Sequence, residues 1–596
     1  MARSLVYSAG CFDCLFPDLL RITLAFRCPG LGFLWRRLGS GLLYASGLPV
    51  PEDNRALVSS ILFTSSGAGS FRYTMTPRIR ILLIFLVLLT GLRLLLASQT
   101  ELTPDEAYYY LWAQHPGVGY FSAGPGVAVA VLAGTALLGP SELGVRLFSP
   151  LLGLGVSLIF FFFARQLYRE RLAFWSVVAL NLTPVFNLDS LLMTPGILAL
   201  FFWTAALLCF WFAIQRSGIW LWALSGALIG CGFLSSYNNA LQLLSVLIFL
   251  VLMAKYRIEF RRPGVYVLFG VFALSLLPPL IWNQQHDWIG LISLSSESFL
   301  KDRVRHFSGF VEFVTQLLIL YSPLFFIALI ATLVAFIPKT FRSSKISFLL
   351  SFSWPVLAAY ALFGFGRGLE PGETAPAFVS LGLLACVWYL DVLPSGRSSR
   401  ALAAIGLAVA AMFTLFILDP DLLQRVGLPI SYANHSSAHR LGWKTAAEEI
   451  GRFRSDFEQK LGEPVFLIGN DYRTAAILSF YLPHPRVEEP GHPPIYIPES
   501  QDIQNEFSFW PRYDEFVEPA DKSEVNSLFS EQAGVNNFIN RTALYISDAA
   551  EQTPPQNLQN SFTRWELVRH FQLSRRHQPL REFRIFACYQ YQTLPL

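Results

Sequence analysis

MTPRIRILLIFLVLLTGLRLLLA, residues 75–97, decides how the rest of the chain is read. A short basic start carrying Arg78 and Arg80 leads into an apolar run over 79–97. Crossing the hydrocarbon core of a bilayer takes about 20 such residues, so this run reads as a first membrane span. The same character recurs near 143–164, 172–188, 196–215, 219–235, 240–254, 263–282, 316–337, 346–365, 376–393 and 401–419. The stretch 126–139 is also apolar but short, and reads as a short span or an interfacial helix. The expectation is a mainly α protein: a polytopic transmembrane helical bundle of about 11–13 spans with a small C-terminal α/β domain.

Composition agrees. Of 596 residues, 53 % are hydrophobic and 14 % charged, and mean hydropathy is +0.44. An average soluble domain has roughly 25 % charged residues. So few charges cannot cover so much apolar surface, which excludes an ordinary soluble enzyme and a disordered chain. Net charge is +4, from 45 basic and 41 acidic residues, too even a balance to point to nucleic acid. Membrane lipid is the expected environment. Cys11 and Cys14 form a lone CxxC with no second pair, so no zinc site is expected.

Basic residues orient the spans. Arg78 and Arg80 precede the first; Arg165, Arg169 and Arg171 follow the second; Arg216 follows the fourth. Lys255, Arg257, Arg261 and Arg262 follow the sixth; Lys339, Arg342 and Lys345 follow the eighth; Arg397 and Arg400 follow the tenth. These loops alternate, so all fit on the cytoplasmic side of a cell inner (plasma) membrane, provided 126–139 does not cross completely. Residues 98–142 and the tail after 420 then face outward. Lys301, Arg303 and Arg305 also fall on the outer side, as a local exception to the rule or as an anion-binding feature.

Three regions result. Residues 1–74 are a patchwork of Arg, Gly, Ser and Cys without sustained periodicity, and read as an N-terminal extension, with translation expected to start at Met75. Residues 75–425 form the membrane part. Residues 430–596 are more charged and form a water-soluble unit, with strand-like runs at 465–468, 476–481, 543–547 and 583–591 and helical signals at 443–460 and 521–532.

The chemistry is expected at Thr103-Pro-Asp-Glu-Ala-Tyr-Tyr-Tyr110, just past the first span. Asp105 and Glu106 are adjacent acids at the membrane boundary, where an unpartnered carboxylate is costly. They also suit a plain helix start, with Thr103 as cap, Pro104 in the first turn and acids favoured by the macrodipole. A helix start can present a catalytic acid, so the readings are compatible. Tyr108 and its neighbours read as an interfacial aromatic belt or a sugar-stacking surface.

Asp105-Glu-Ala-Tyr-Tyr109 in the first outer loop resembles the GT-C superfamily of polyprenyl-phosphate-dependent glycosyltransferases. The nearest group is bacterial family 39, with the protein O-mannosyltransferases and the lipid A aminoarabinose transferases. Gly139-Pro-Ser-Glu-Leu-Gly-Val-Arg146, Ser190-Leu-Leu-Met-Thr-Pro195 and Leu280-Ile-Trp-Asn-Gln-Gln-His-Asp-Trp288 resemble further segments of that superfamily, as do Leu441-Gly-Trp443 and Asp471-Tyr-Arg-Thr-Ala475. The resemblance implies a single displacement with inversion. An acceptor hydroxyl attacks the anomeric carbon of a polyprenyl-phosphate-linked sugar, and polyprenyl phosphate leaves. It makes Asp105 the expected base and Glu106 its support. Arg146, Arg303, Arg305 and Arg367 are the cations expected against the leaving phosphate, with a divalent metal as the other means of neutralising it. Tyr108, Tyr237, His286 and Asp287 are expected to position donor or acceptor.

The chain departs from that pattern at several polar positions. Gly196 stands where the family has Asp after Thr-Pro, with Asp189 seven residues earlier; Ser122-Ala-Gly-Pro125 replaces Asp-His-Pro-Pro; Ser236 precedes Tyr237 in place of Lys; Gly372-Glu373 replaces Asn-Trp. A changed donor or acceptor and a catalytically silent lipid-sugar-binding relative both fit these departures. A transporter fits less well, because the polar groups cluster at one face and no repeated halves are evident.

Overall fold

The computed structural model describes residues 76–592, except 217, 296–306, 364–370, 393–395, 426–431, 433–439, 499, 501–502, 515–537 and 550. The extension 1–74, the expected helix 521–532, and Lys301, Arg303, Arg305 and Arg367 lie outside the described residues.

Seven described helices are long and apolar enough to cross a membrane: Pro77–Gln99, Glu142–Leu167, Pro195–Ala213, Pro263–Gln285, Pro323–Arg342, Gly372–Val392 and Arg400–Leu418. The first opens at Pro77 with the Thr76 side chain as cap. A bent pair, Tyr237–Leu252 and Ala254–Arg261, meets at 114° and can serve as an eighth crossing. The number is lower than expected, and proline explains part of the difference. The expected span 172–188 is cut into Glu170–Leu182 and Pro184–Asp189, and 346–365 into Ser344–Ser351 and Trp354–Phe363, where Pro355 sits. Proline lacks an amide hydrogen and clashes with the preceding turn. The helices Gly126–Leu138 and Ile219–Phe233 are regular but stop at 13 and 15 residues.

The break before Pro184 is closed by side chains. Asn187 Nδ2 donates to the carbonyls of Asn181 (2.7 Å) and Thr183 (3.0 Å). Its Oδ1 and that of Asn181 accept from Arg93, at 2.7 and 3.2 Å. Arg93, buried on the first span, thus holds the freed backbone of another.

Loops from the two ends of the bundle separate cleanly. At one end the Thr76 hydroxyl donates to Glu170 (2.6 Å), Arg169 pairs with Asp391, and Lys345 donates to the Leu167 carbonyl. At the other end the Gly126 amide donates to the Leu234 carbonyl (3.0 Å), the Met193 amide to Glu106 (2.9 Å), and Tyr321 Oη lies 3.0 Å from Thr374 Oγ1. Trp282 meets Phe509 there, ring centroids 5.4 Å apart, which joins this end to the C-terminal region.

That region holds a five-stranded sheet of order β2-β1-β3-β5-β4, with β1 Phe466–Gly469, β2 Ile495–Tyr496, β3 Ala543–Ser547, β4 Phe562–Arg575 and β5 Gln578–Tyr591. β2, β1 and β3 are parallel; β5 runs antiparallel to β3 and β4. The helix Trp443–Leu461 falls where expected. The expected strand at 476–481 is instead part of the helix Tyr472–Tyr481, because the Asp471 carboxylate accepts the Thr474 amide (2.7 Å) and caps a helix start. Strand β4, mostly exposed at the sheet edge, carries little alternation and escaped the sequence reading. One hydrophobic cluster runs through both regions, from Leu102, Trp112 and Val131 to Trp443, Ala476 and Phe583.

The close approach of 122–126 to the end of the helix Ile219–Phe233 requires glycine: a Cβ on Gly124 would lie 2.2 Å from the Leu234 carbonyl oxygen. Gly124→Ala is expected to destabilise the folded protein by ~1–3 kcal/mol, the range for overpacking. The check is the thermal unfolding midpoint in detergent, where an unchanged midpoint contradicts the packing described.

Candidate functional site at the helix Pro104–Gln114

Thr103 begins this helix with a reciprocal capping box. Its hydroxyl accepts the Glu106 amide (3.2 Å), and the Glu106 carboxylate accepts the Thr103 amide (2.9 Å). Adjacent residues on a helix point about 100° apart, so the two acids separate. Glu106 turns inward and is fully buried; the Asp105 side chain is 45 % exposed.

Glu106 meets Arg146, also fully buried, in a bidentate pair of 2.7 and 2.6 Å. The rest of the guanidinium is engaged at the exit of the first span: Nη1 donates to the Thr100 carbonyl (2.7 Å) and hydroxyl (2.8 Å), and Nη2 to the Glu101 carbonyl (2.8 Å). The Met193 amide also donates to Glu106 (2.9 Å). Burial pushes the Glu106 carboxyl up, but Arg146 and the amide donors outweigh it and hold it below its usual range. The expectation that Arg146 compensates a leaving phosphate is therefore corrected: its donors are taken up by Glu106 and by the backbone between the first span and this helix. Glu106 likewise positions the helix and offers no free edge to a ligand.

Asp105 faces Arg473 of the helix Tyr472–Tyr481, Oδ1 to Nε 3.1 Å, both side chains about half-exposed. Sequence reasoning missed Arg473 as a partner, although it lies in the quoted Asp471–Ala475 motif. Tyr108 is corrected as well. It is buried in the seam with the sheet region, 4.9 Å from Tyr472 and stacked at 6.1 Å on Phe507, and its hydroxyl accepts the Glu506 amide (2.7 Å). No face of Tyr108 is left for a sugar.

Glu506 carries no signal in the sequence. Its carboxylate accepts the Phe121 amide (2.8 Å), and burial raises it to about 7.

Asp189 and Gly196 prove to be neighbours. A Cβ built on Gly196 would lie 3.6 Å from Asp189 Oδ1. The turn Ser190–Thr194 folds the chain back, so a distance that helical spacing makes large becomes small. Tyr237 is half-buried against Phe233, centroids 5.0 Å apart. His286 stacks on Trp282 (4.3 Å), meets Phe509 edge-on (4.8 Å) and lies 2.7 Å from the Trp282 carbonyl. Asp287 is exposed, in a turn where it and Trp288 have φ of 50° and 60°. Among the described residues no group of three His, Cys, Asp or Glu side chains could hold a metal ion.

Residues 114–282 match a family model described as dolichyl-phosphate-mannose-protein mannosyltransferase; the match begins after Asp105 and Glu106. The lipid A galacturonosyltransferase RgtD of Rhizobium johnstonii is 29 % identical over 214 residues, 36 % of this chain and 45 % of that protein. The match thus spans about half the length of that relative. ArnT from Cupriavidus metallidurans, solved with undecaprenyl phosphate bound, superposes with a TM-score of 0.52 at 15 % identity, over 86 % of this chain and 99 % of that one. The chain has an ArnT-like fold. The GT-C resemblance read from the motifs is borne out, and the chain is a multi-pass membrane protein with a small C-terminal sheet region.

Two outcomes follow from the site. Arg146→Met leaves Glu106 buried without its partner and is expected to cost about 3–5 kcal/mol, whereas replacing both residues by apolar ones of similar size recovers much of that loss. Unfolding midpoints of the single and double variants decide it. Glu506 keeps its proton in the folded state up to about 7, against an ordinary value of 4.5. Its contribution to stability is therefore fully present below 4.5 and lost as pH rises through 7. Glu506→Gln is expected to flatten the fall in stability across this window, and an unaltered pH profile contradicts it.

Proposed function

We propose that this chain transfers a sugar from a polyprenyl-phosphate donor to a hydroxyl of a lipid, glycan or protein, at the end of the bundle that carries the sheet. The observation behind this reading is the division of labour between two adjacent acids. Glu106 is enclosed by Arg146, while Asp105 stays at the rim with its carboxylate in reach of solvent and of a substrate. The names of the relatives add to it: one transfers galacturonosyl groups to lipid A, and one was solved with undecaprenyl phosphate.

The acceptor oxygen forms a bond to the anomeric carbon, the bond from that carbon to the phosphate oxygen breaks, and the acceptor proton passes to Asp105 as the new bond forms. Attack opposite the leaving group inverts the anomeric centre. Asp189 supplies the second carboxylate, from beside the position where Gly196 leaves room. The leaving phosphate is compensated by cations of the outer loops, among which Arg303, Arg305 and Arg367 are retained. His286 and Asp287, at a span exit beside the sheet region, line the approach, and Tyr237 lies at the same end. We place the protein in the inner membrane with 430–596 outside the cytoplasm. Support comes from the basic Arg169 and Lys345, which gather at the end opposite the sheet.

Mass spectrometry of cell-envelope lipids and glycans, comparing a deletion strain with strains carrying variants, tests this. Asp105→Asn is expected to lower the sugar-bearing product by roughly 100-fold or more while leaving protein level intact. Asp189→Asn is expected to act in the same direction, and adding Gly196→Asp to it to restore product in part, since the new carboxylate would start from nearly the same place. Full product with Asp105→Asn overturns the site. No difference between parent and deletion favours the catalytically silent relative.

A further inference from the structure

The sheet region contains a cavity of about 420 Å³ that the transfer reading does not use. It opens toward the carboxyl ends of the first two parallel strands: Asn470 follows β1 and Tyr496 ends β2, while Tyr545 reaches it from the middle of β3. In open α/β sheets that edge is the usual place for a ligand. Six aromatic side chains line it: Tyr472, His492, Tyr496, Phe507, Tyr513 and Tyr545. Asn470, Asn505 and Asn557 are interspersed among them.

Two buried polar atoms of this lining lack a hydrogen-bond partner among the described residues: the Tyr496 hydroxyl and Asn470 Oδ1. Tyr496 is 1 % exposed, and His492 stacks flat on its ring at 3.8 Å, which fixes it against the cavity. A buried polar atom without a partner is unusual in a folded protein, and both of these belong to side chains that also border the cavity.

The charges say what that something is not. A strand-to-helix turn in this position commonly holds a phosphate on the helix amides. Here the Asp471 carboxylate already accepts the Thr474 amide (2.7 Å), so the helix Tyr472–Tyr481 begins with a negative group of its own. Arg512, the lining cation, is held by Asp514, with Nε 2.8 Å from Oδ1. Glu551 adds a further acid, 3.3 Å from the Tyr545 hydroxyl. Aromatic faces with interspersed amides and acids suit a ring bearing hydroxyl or ammonium groups and repel phosphate and uronate.

We propose that this cavity is a saccharide-binding site for a neutral or amino-bearing sugar ring, separate from the rim at Asp105. The proposal stands on the cavity alone and survives failure of the transfer reading. Saturation-transfer difference NMR on the full chain in lipid nanodiscs tests it, using methyl galactoside, methyl glucosaminide and methyl galacturonide as probes. The parent is expected to give signal with the first two and a signal about 5-fold weaker or less with the galacturonide. Ser508→Trp, which fills the lining, is expected to abolish the signal. Tyr496→Phe, which removes one hydroxyl and keeps the ring, is expected to weaken it about 3- to 10-fold and serves if the larger variant does not fold. Silence of the parent with both expected probes overturns the proposal. So does equal or stronger binding of the galacturonide, or signal unaffected by either cavity variant.

Discussion

The buried pair of Glu106 and Arg146 is the contact on which the sheet-bearing end of this protein depends. It joins three pieces of chain that are separate in sequence: the exit of the first span, the helix Pro104–Gln114, and the start of the span Glu142–Leu167. The Met193 amide brings in a fourth. Two charges removed from water are costly, and their mutual attraction repays that only when the remaining lone pairs and protons are also satisfied. Here the capping box, the backbone carbonyls at Thr100 and Glu101 and the Met193 amide satisfy them. The pair therefore specifies geometry: any rotation of the helix would strand a charge.

That fixed helix settles where its neighbours point. With Glu106 inward, Asp105 lies at the rim against Arg473, and Tyr108 turns into the seam against Tyr472 and Phe507. Aromatic pairs of this kind contribute about 0.5–1.5 kcal/mol each beyond their buried area. Glu101 adds a link from the first span to the sheet region by accepting the Trp443 amide at 2.8 Å, at the otherwise uncapped start of the helix Trp443–Leu461. The membrane-exit helix and the sheet region thus share one hydrophobic cluster, and the rim acid sits at their junction.

The departures from the family pattern acquire physical meaning in three dimensions. Gly196 is paired in space with Asp189, so a carboxylate is present although the position that would carry it in sequence is empty. Gly124 is required by the close approach of its backbone to Leu234, which leaves no room for a side chain at that position. Both are cases of one constraint displacing another.

Sequence alone determined the membrane class, most of the spans, the helix start at Thr103–Glu106 and four of the observed elements beyond residue 440, because these follow from apolar run length, capping chemistry and local periodicity. It also carried the GT-C resemblance, which the family match, the relative and the ArnT-like fold together bear out. It could not tell which of two neighbouring acids would be enclosed, that Arg146 would be occupied, or that Tyr108 would be covered, since each depends on residues 40 to 400 positions away. The strand reading of 476–481 failed because a short apolar run has no period of its own, and the Asp471 cap decided it. The proximity of Asp189 to Gly196 was set by a chain reversal. Local physics writes elements into a sequence; which polar groups face one another is settled only when the elements pack, because the cost of burying a charge falls on whatever partner the fold brings to it.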